Sequence, residues 1–222
     1  MNDRTAVQTA IDPRPASSRE RPACRRPLRT SLSLATVETG SRERAEVEAF
    51  VGDAFARKHD ATVTSFMPTL LSFRDQAGAL RGAAGLRGAG EGSLYLEQYL
   101  DRPVESAIAF ATGRPIRRRQ VVEVGNLAGA NCRTAVRMVS LLPAHLLTRD
   151  FQWIVFTATS AVREILLGFG APLIELARAE SARVAFGSDR WGRYYETDPR
   201  VFAGFLPDSR NVRGFSMSGH GH

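Results

Sequence analysis

Two carboxylates stand out as groups that could do chemistry. Glu97 lies in LYLEQYLD, residues 94–101, and Glu123 in QVVEVGNL, residues 120–127. The first run reads as a strand with two faces, Leu94, Leu96, Gln98 and Leu100 against Tyr95, Glu97 and Tyr99, and the second as a valine-rich strand interrupted by Gly125. A carboxylate flanked by Leu or Val is desolvated, which raises its pKa. A raised pKa makes a better general base for an amine or hydroxyl near neutral pH. The competing expectation is that each carboxylate points to solvent or pairs with arginine, and both stand at this stage.

A second group follows Glu123 directly. EVGNLAGANCRTAVR, residues 123–137, reads as a strand that bulges at Gly125 and feeds a helix starting near Cys132. Backbone N–H groups at such a junction, together with the helix dipole, favour an anion. Gly129, Ala130, Asn131 and Cys132 are small enough for a pyrophosphate to approach the backbone, and Arg133 adds a charge. Gly and Asn also serve as plain helix caps, which is the simpler account. Tyr194 and Tyr195, after Trp191-Gly192, are candidates to line a pocket or donate a proton; core packing is the alternative.

Other chemistries find no support. The four histidines, His59, His145, His220 and His222, form no triad and no ligand set, so no metal site is expected. Cys24 and Cys132 set no disulfide framework, which suits a reducing compartment.

The elements that must position these residues follow from periodicity. Ser31–Val37 is expected as a strand, with Leu32, Leu34 and Thr36 on one face. Ser41 caps a helix whose apolar stripe is Val47, Phe50, Val51, Ala54 and Phe55. Thr69–Arg74 and Ala79–Arg87 form a hairpin around Asp75–Gly78, with Gly82 and Gly85 allowing a bulge or close packing. Pro103 opens a short helix ending near Gly113, and Arg114–Arg119 is a basic loop. The helix from Cys132 buries Val136, Val139, Leu142 and Leu146, with Pro143 kinking or splitting it. FQWIVFTAT, residues 151–159, reads as a strand buried on both faces. A helix from Ala161 stops at Gly168-Phe169-Gly170, and Pro172–Leu176 is one more strand; Trp191–Gly204 reads as ordered but unassigned. The order defines an α/β (α+β) fold, one mixed sheet with helices on both faces.

Residues 1–29, rich in Arg, Pro and Ser, are expected to be a disordered tail, residues 30–205 one domain, and residues 206–222 a flexible tail. The chain has 222 residues, 43% of them hydrophobic, which suits one domain with a real core. The net charge is +7, and Lys58 is the sole lysine. That balance admits a phosphate-bearing or other anionic partner, with a solvated basic surface as the alternative, and points to no specific nucleic acid. No apolar run reaches the roughly 18–20 residues that span a bilayer, and the acidic, proline-bearing start lacks the apolar stretch of a signal peptide. A cytoplasmic protein without an integral membrane segment is expected. Nothing in the sequence sets an oligomeric state.

The blocks LYLEQYLD (94–101), VVEVGNLAG (121–129), FQWIVFTAT (151–159), WGRYYETDP (191–199) and VFAGF (201–205) resemble the thermostable hemolysin family, which itself resembles the GNAT acyltransferases. ILLGF, residues 165–169, followed by PLIEL resembles the GNAT helix that ends in Gly-Phe before a strand. The resemblance implies a GNAT-like, mostly antiparallel mixed sheet. It implies acyl transfer from a pantetheine thioester, acyl-CoA or an acyl carrier protein, to an amine or hydroxyl, with no tightly bound cofactor. It places the pyrophosphate loop at Leu127, Ala128, Gly129, Ala130, Asn131, Cys132 and Arg133, and the base on the strand of Glu123; Glu97 stays the second candidate from its own strand placement alone. The GNAT pattern Arg/Gln-x-x-Gly-x-Gly/Ala is incomplete here. Glu164 stands where many such enzymes place the tyrosine that protonates the thiolate, so Tyr194 or Tyr195 is the substitute. Two alternatives stand beside acyl transfer: the membrane activity that the family name implies, for which the residues offer no lytic amphipathic pattern, and a GNAT-shaped binding module without catalysis, which the missing tyrosine and incomplete loop would suit.

Overall fold

The computed structural model describes residues 31–170, 172–184 and 188–206. Both expected tails therefore lie outside the described residues, except Leu206. That residue is buried and donates its amide to the Gln152 carbonyl at 2.8 Å, so it belongs to the domain.

Seven strands form one sheet: β1 (Ser33–Val37), β2 (Thr69–Arg74), β3 (Leu80–Gly88), β4 (Val121–Gly129), β5 (Trp153–Ala158), β6 (Leu173–Arg178) and β7 (Arg200–Phe205). The spatial order is β1-β2-β3-β4-β5-β7-β6. Among the described residues only β4 and β5 pair in parallel; every other neighbouring pair is antiparallel. Among the described residues four α-helices cover the sheet: α1 (Arg42–His59), α2 (Val104–Thr112), α3 (Cys132–Leu147) and α4 (Ser160–Gly168).

The alternation of each strand divides the core. Val122 and Val124 of β4, Leu71 and Phe73 of β2 and Phe156 of β5 pack with Met138, Leu142 and Leu146 of α3, and with Val162 and Leu166 of α4. On the opposite face are two clusters. One joins Val47 and Val51 of α1 to Leu70, Ala83 and Ala128; the other joins Val104 and Ile108 of α2 to Val121, Trp153, Val155 and Ala203. Period-2 alternation puts Glu123 on this second face, beside Val121.

Ser41 caps α1 as its position predicted, its hydroxyl accepting the Arg44 N–H at 3.2 Å. Ser41→Ala is expected to cost about 1 kcal/mol of stability in a urea titration, because one helical N–H then loses its partner.

Several expectations are corrected. Residues 94–101 are not a strand: Tyr95–Tyr99 is a 3-10 turn. Alternation alone misled here, because the amides of Tyr95 and Leu96 bond a carboxylate instead of a neighbouring strand. Conversely Arg200–Phe205 is a strand, lying between β5 and β6. Helix α3 runs unbroken through Pro143, and its most buried residues are Met138, Leu142 and Leu146. The seam is thus one i, i+4 row. Val136 and Val139 lie at its margins, half-buried.

Candidate active site

The central feature is the parting of β4 from β5. Their parallel register runs from Val121↔Trp153 to Val124↔Phe156 and stops there. β4 continues to Gly129 against β3, and β5 continues to Ala158 against β7. The cause lies in β4 itself. Gly85 pairs with Gly125 and Ala83 with Ala128, so Asn126 and Leu127 together oppose Ala84. This is the expected bulge, centred one residue later than Gly125. Asn126 sits at φ +47°, in the left-handed region that Asn tolerates best among residues with a Cβ. Its Oδ1 accepts the Met67 N–H at 2.9 Å, and the Arg44 guanidinium holds the Met67 and Pro68 carbonyls at 3.0 Å each. A latch from α1 thereby fixes the bulge.

Glu123 stands one residue before Val124, the last position paired with β5, and is only 3% exposed. Its Oε2 accepts the Tyr95 N–H at 2.8 Å and its Oε1 the Leu96 N–H at 3.0 Å. Burial pushes its carboxyl up to about 7, against the pull of those two amides. Its register partners are Arg87 on β3 and Val155 on β5.

Glu97 behaves in the opposite way. Arg118 grips it with two parallel bonds, Nη1 to Oε1 at 2.6 Å and Nη2 to Oε2 at 2.8 Å. The Leu94 and Val104 amides donate to it at 2.8 and 2.9 Å. The Arg118 hydrogen bonds hold its carboxyl far down, at about 2. The expectation of a strand carboxylate with a raised pKa is overturned for Glu97, since its charge is fully matched. The arginine-paired alternative is what the structure contains.

Tyr195 lies in a second 3-10 turn, Tyr194–Thr197. Its hydroxyl shares a 2.8 Å hydrogen bond with that of Tyr99, which is buried in the α2 cluster. Burial raises the pKa of both phenols, so both keep their protons. Glu123, Glu97 and Tyr195 therefore gather around the Tyr95–Tyr99 turn. Tyr95 is itself 40% exposed and packs on Trp191 at 5.9 Å.

The seven loop residues sit at the far end of β4. Leu127, Ala128 and Gly129 finish the strand. Asn131 is the N-cap of α3, its Oδ1 accepting the Thr134 N–H at 2.9 Å; Cys132 and Arg133 open the helix. Cys132 is not a free thiol. Ala130 donates its amide to the Arg81 carbonyl at 2.9 Å, so that amide is committed within the sheet. A Cβ at Gly129 would lie 3.2 Å from the Ala135 nitrogen, which explains a glycine where α3 packs down.

A surface cavity of about 590 Å³ lies on the outer side of the Glu97–Arg118 pair. Glu123 does not line it, so the site is defined by the strand parting and not by this hollow. Among the described residues no group of three His, Cys, Asp or Glu could hold a metal, and no helix is long and apolar enough to cross a membrane.

Reasoning from sequence missed the Tyr95 and Leu96 amides, Tyr99, Arg118 and Asn126. Gly125-Asn126 carried a signal, since a Gly-Asn pair inside a strand marks positive φ. The others had none: their contacts span 21 to 96 positions of sequence.

One mixed sheet, a single central parallel pair that parts at a bulge, and helices on both faces define a GNAT-like fold. Solved structures share it. The acyl-homoserine lactone synthase LasI aligns with a TM-score of 0.51 at 10% identity, over 80% of this chain and 91% of that one. FeeM, an N-acyl amino acid synthase from uncultured soil microbes, aligns at 0.52 with 11% identity, over 81% and 93%. An N-acetyltransferase from Lactobacillus plantarum, described as such by inference, aligns at 0.50 with 7% identity, over 80% and 100%. No curated protein sequence matches the chain. The sequence profile of the thermostable hemolysin family matches residues 37–210, most of the chain, and the protein belongs to that family.

Proposed function

We propose that this protein transfers an acyl group from a pantetheine thioester, carried by coenzyme A or an acyl carrier protein, to an amine or hydroxyl. The observation that carries this reading is a buried carboxylate, raised to about 7, at the point where β4 and β5 part. A thioester inserted between the separated strands would meet β4 amides that no longer pair with β5. Glu123 would take the proton as the acceptor nitrogen or oxygen bonds to the carbonyl carbon. Collapse of the adduct breaks the C–S bond and releases the thiolate.

The donor's phosphates would lie along Leu127–Arg133, at the start of α3, where the helix dipole favours negative charge. Ala130 is the weakest member of that set, because its amide is already donated. Glu97 is better suited to holding the turn than to accepting a proton. The fold agrees with this reading; LasI is by name an acyl-homoserine lactone synthase and FeeM an N-acyl amino acid synthase. The reaction would run in the cytoplasm, without a resident cofactor.

Tyr195 is the group proposed to protonate the departing thiolate, with Tyr99 behind it as a relay. Tyr195→Phe is expected to lower kcat about 100-fold, within the usual range for losing a general acid, while donor affinity stays unchanged. Thiol release and donor calorimetry check the two halves. The test of the function itself offers acyl-CoA and acyl carrier protein donors of several chain lengths, with amine and hydroxyl acceptors, and follows thiol release. No release with any donor, together with no donor binding, would sink it.

A further inference from the structure

The Arg118 guanidinium bonds neither Glu123 nor β5, yet short hydrogen bonds through Glu97 and the Tyr95–Tyr99 turn connect it to Glu123. Its guanidinium makes four contacts: both oxygens of Glu97, Oε2 of Glu105 at 2.8 Å and the Gly92 carbonyl at 2.7 Å. Glu97 in turn spends each oxygen twice. Oε2 accepts the Leu94 amide where the 3-10 turn begins, and Oε1 accepts the Val104 amide where α2 begins. One side chain therefore staples both ends of residues 94–104, and the middle of that segment supplies the two amides on Glu123. A carboxylate in this half-buried setting needs a matched cation, since desolvation penalises an unpaired charge. Only a planar guanidinium satisfies both oxygens at once.

We infer that Arg118 is a positioning residue for Glu123: it fixes Glu97, Glu97 fixes the Tyr95–Tyr99 turn, and the turn aims its amides at the Glu123 carboxylate. The inference rests on the proposed role of Glu123 only for its effect on rate; the geometric claim stands without it. Two charged groups bear on Glu123, Arg87 from β3 and Glu97 from the turn, while its β5 neighbour, Val155, is apolar. Removing Arg118 acts twice in one direction. The turn slackens, so the amides that favour the charged form of Glu123 withdraw. Glu97 loses its counter-ion and repels a second carboxylate more strongly.

The experiment is a carbon-13 NMR titration of the glutamate carboxyls in the full chain, with no donor or acceptor present, the Glu123 signal being assigned from Glu123→Gln. Arg118→Gln is expected to move the Glu123 midpoint up by about one pH unit, the size of shift a lost pair of hydrogen bonds and a bared neighbouring charge produce. Glu105→Gln, which removes the outer partner of Arg118 but leaves Glu97 gripped, is expected to leave it in place. If Arg118→Gln does not fold, Arg118→Lys carries the same test. It keeps the charge without the fork, and a smaller upward shift is expected. A midpoint that stays put in the folded Arg118 variant overturns the inference, as does an equal shift in Glu105→Gln. Where turnover is measurable, the alkaline displacement of the pH–rate limb is expected to match the NMR shift, with the plateau kcat retained. A collapsed plateau over an unmoved limb makes Arg118 merely structural. Failure of every donor to react would refute acyl transfer and leave the titration readable.

Discussion

Glu123→Gln is expected to lower turnover by about 100- to 10,000-fold, the range lost when a general base is removed. The substitution keeps the size of the side chain and one of its two acceptor oxygens, so one of the Tyr95 and Leu96 amides loses its partner while the shape of the site is kept. In the parent protein the rate is expected to rise with pH through a midpoint near 7, because only the charged carboxylate accepts a proton. That limb disappears in the variant. Single-turnover thiol release across pH 5–9 checks both statements; a variant as fast as the parent removes Glu123 from the base role.

The same residue has a stability signature that needs no substrate. Its folded pKa, about 7, lies above its ordinary 4.5, so the folded state binds the extra proton. The carboxyl therefore favours folding fully below about 4.5, and that contribution is lost as pH rises through about 7. The difference of roughly 2.5 pH units corresponds to on the order of 3 kcal/mol. Glu123→Gln carries no such charge. Relative to the parent, its stability is expected to improve as pH rises from 4 to 8, offset at every pH by the one backbone amide that the Gln NH2 cannot accept from. Urea midpoints at the two pH values would show an equal difference if Glu123 were not desolvated.

Gly85→Val is expected to destabilise the protein by about 1–3 kcal/mol, the usual cost of overpacking a closed site. A Cβ there would come within 2.6 Å of Met67 Cβ and Cγ and 2.8 Å of Asn126 Oδ1. Met67 Cβ is anchored to backbone that Arg44 and Asn126 both hold, so it cannot swing aside. The strain reaches the bulge that separates β4 from β5, and loss of donor affinity is expected with loss of stability. Gly52 is the control. It lies in α1 with nothing within 4 Å of a built Cβ, so Gly52→Ala is expected to stabilise by about 0.5–1 kcal/mol through helix propensity. Equal behaviour of the two variants in urea titrations would show that the Gly85 contact is not tight.

Much of this architecture was legible before any coordinates. The α1 stripe, its Ser41 cap, the β2–β3 hairpin, the doubly buried β5 and the bulge after Glu123 follow from period, cap chemistry and glycine placement, all local properties of the chain. The burial of Glu123 was one of two open expectations, and the helices covering both faces of β4 decided it. The difference between Glu97 and Glu123 was not legible in the sequence. Both are glutamates in expected strands, and their neighbours in sequence leave the same two expectations open for each.

The sequence by itself determined the elements, their apolar faces and the two carboxylates worth comparing. Only the tertiary structure decided between those carboxylates. It brought Arg118 to Glu97 across 21 positions, and brought two neutral amides, but no arginine in hydrogen-bonding contact, to Glu123 across 28 and 27. The protonation of a buried acid depends on what charge the fold places within a few ångströms, and separation along the chain carries no record of that distance.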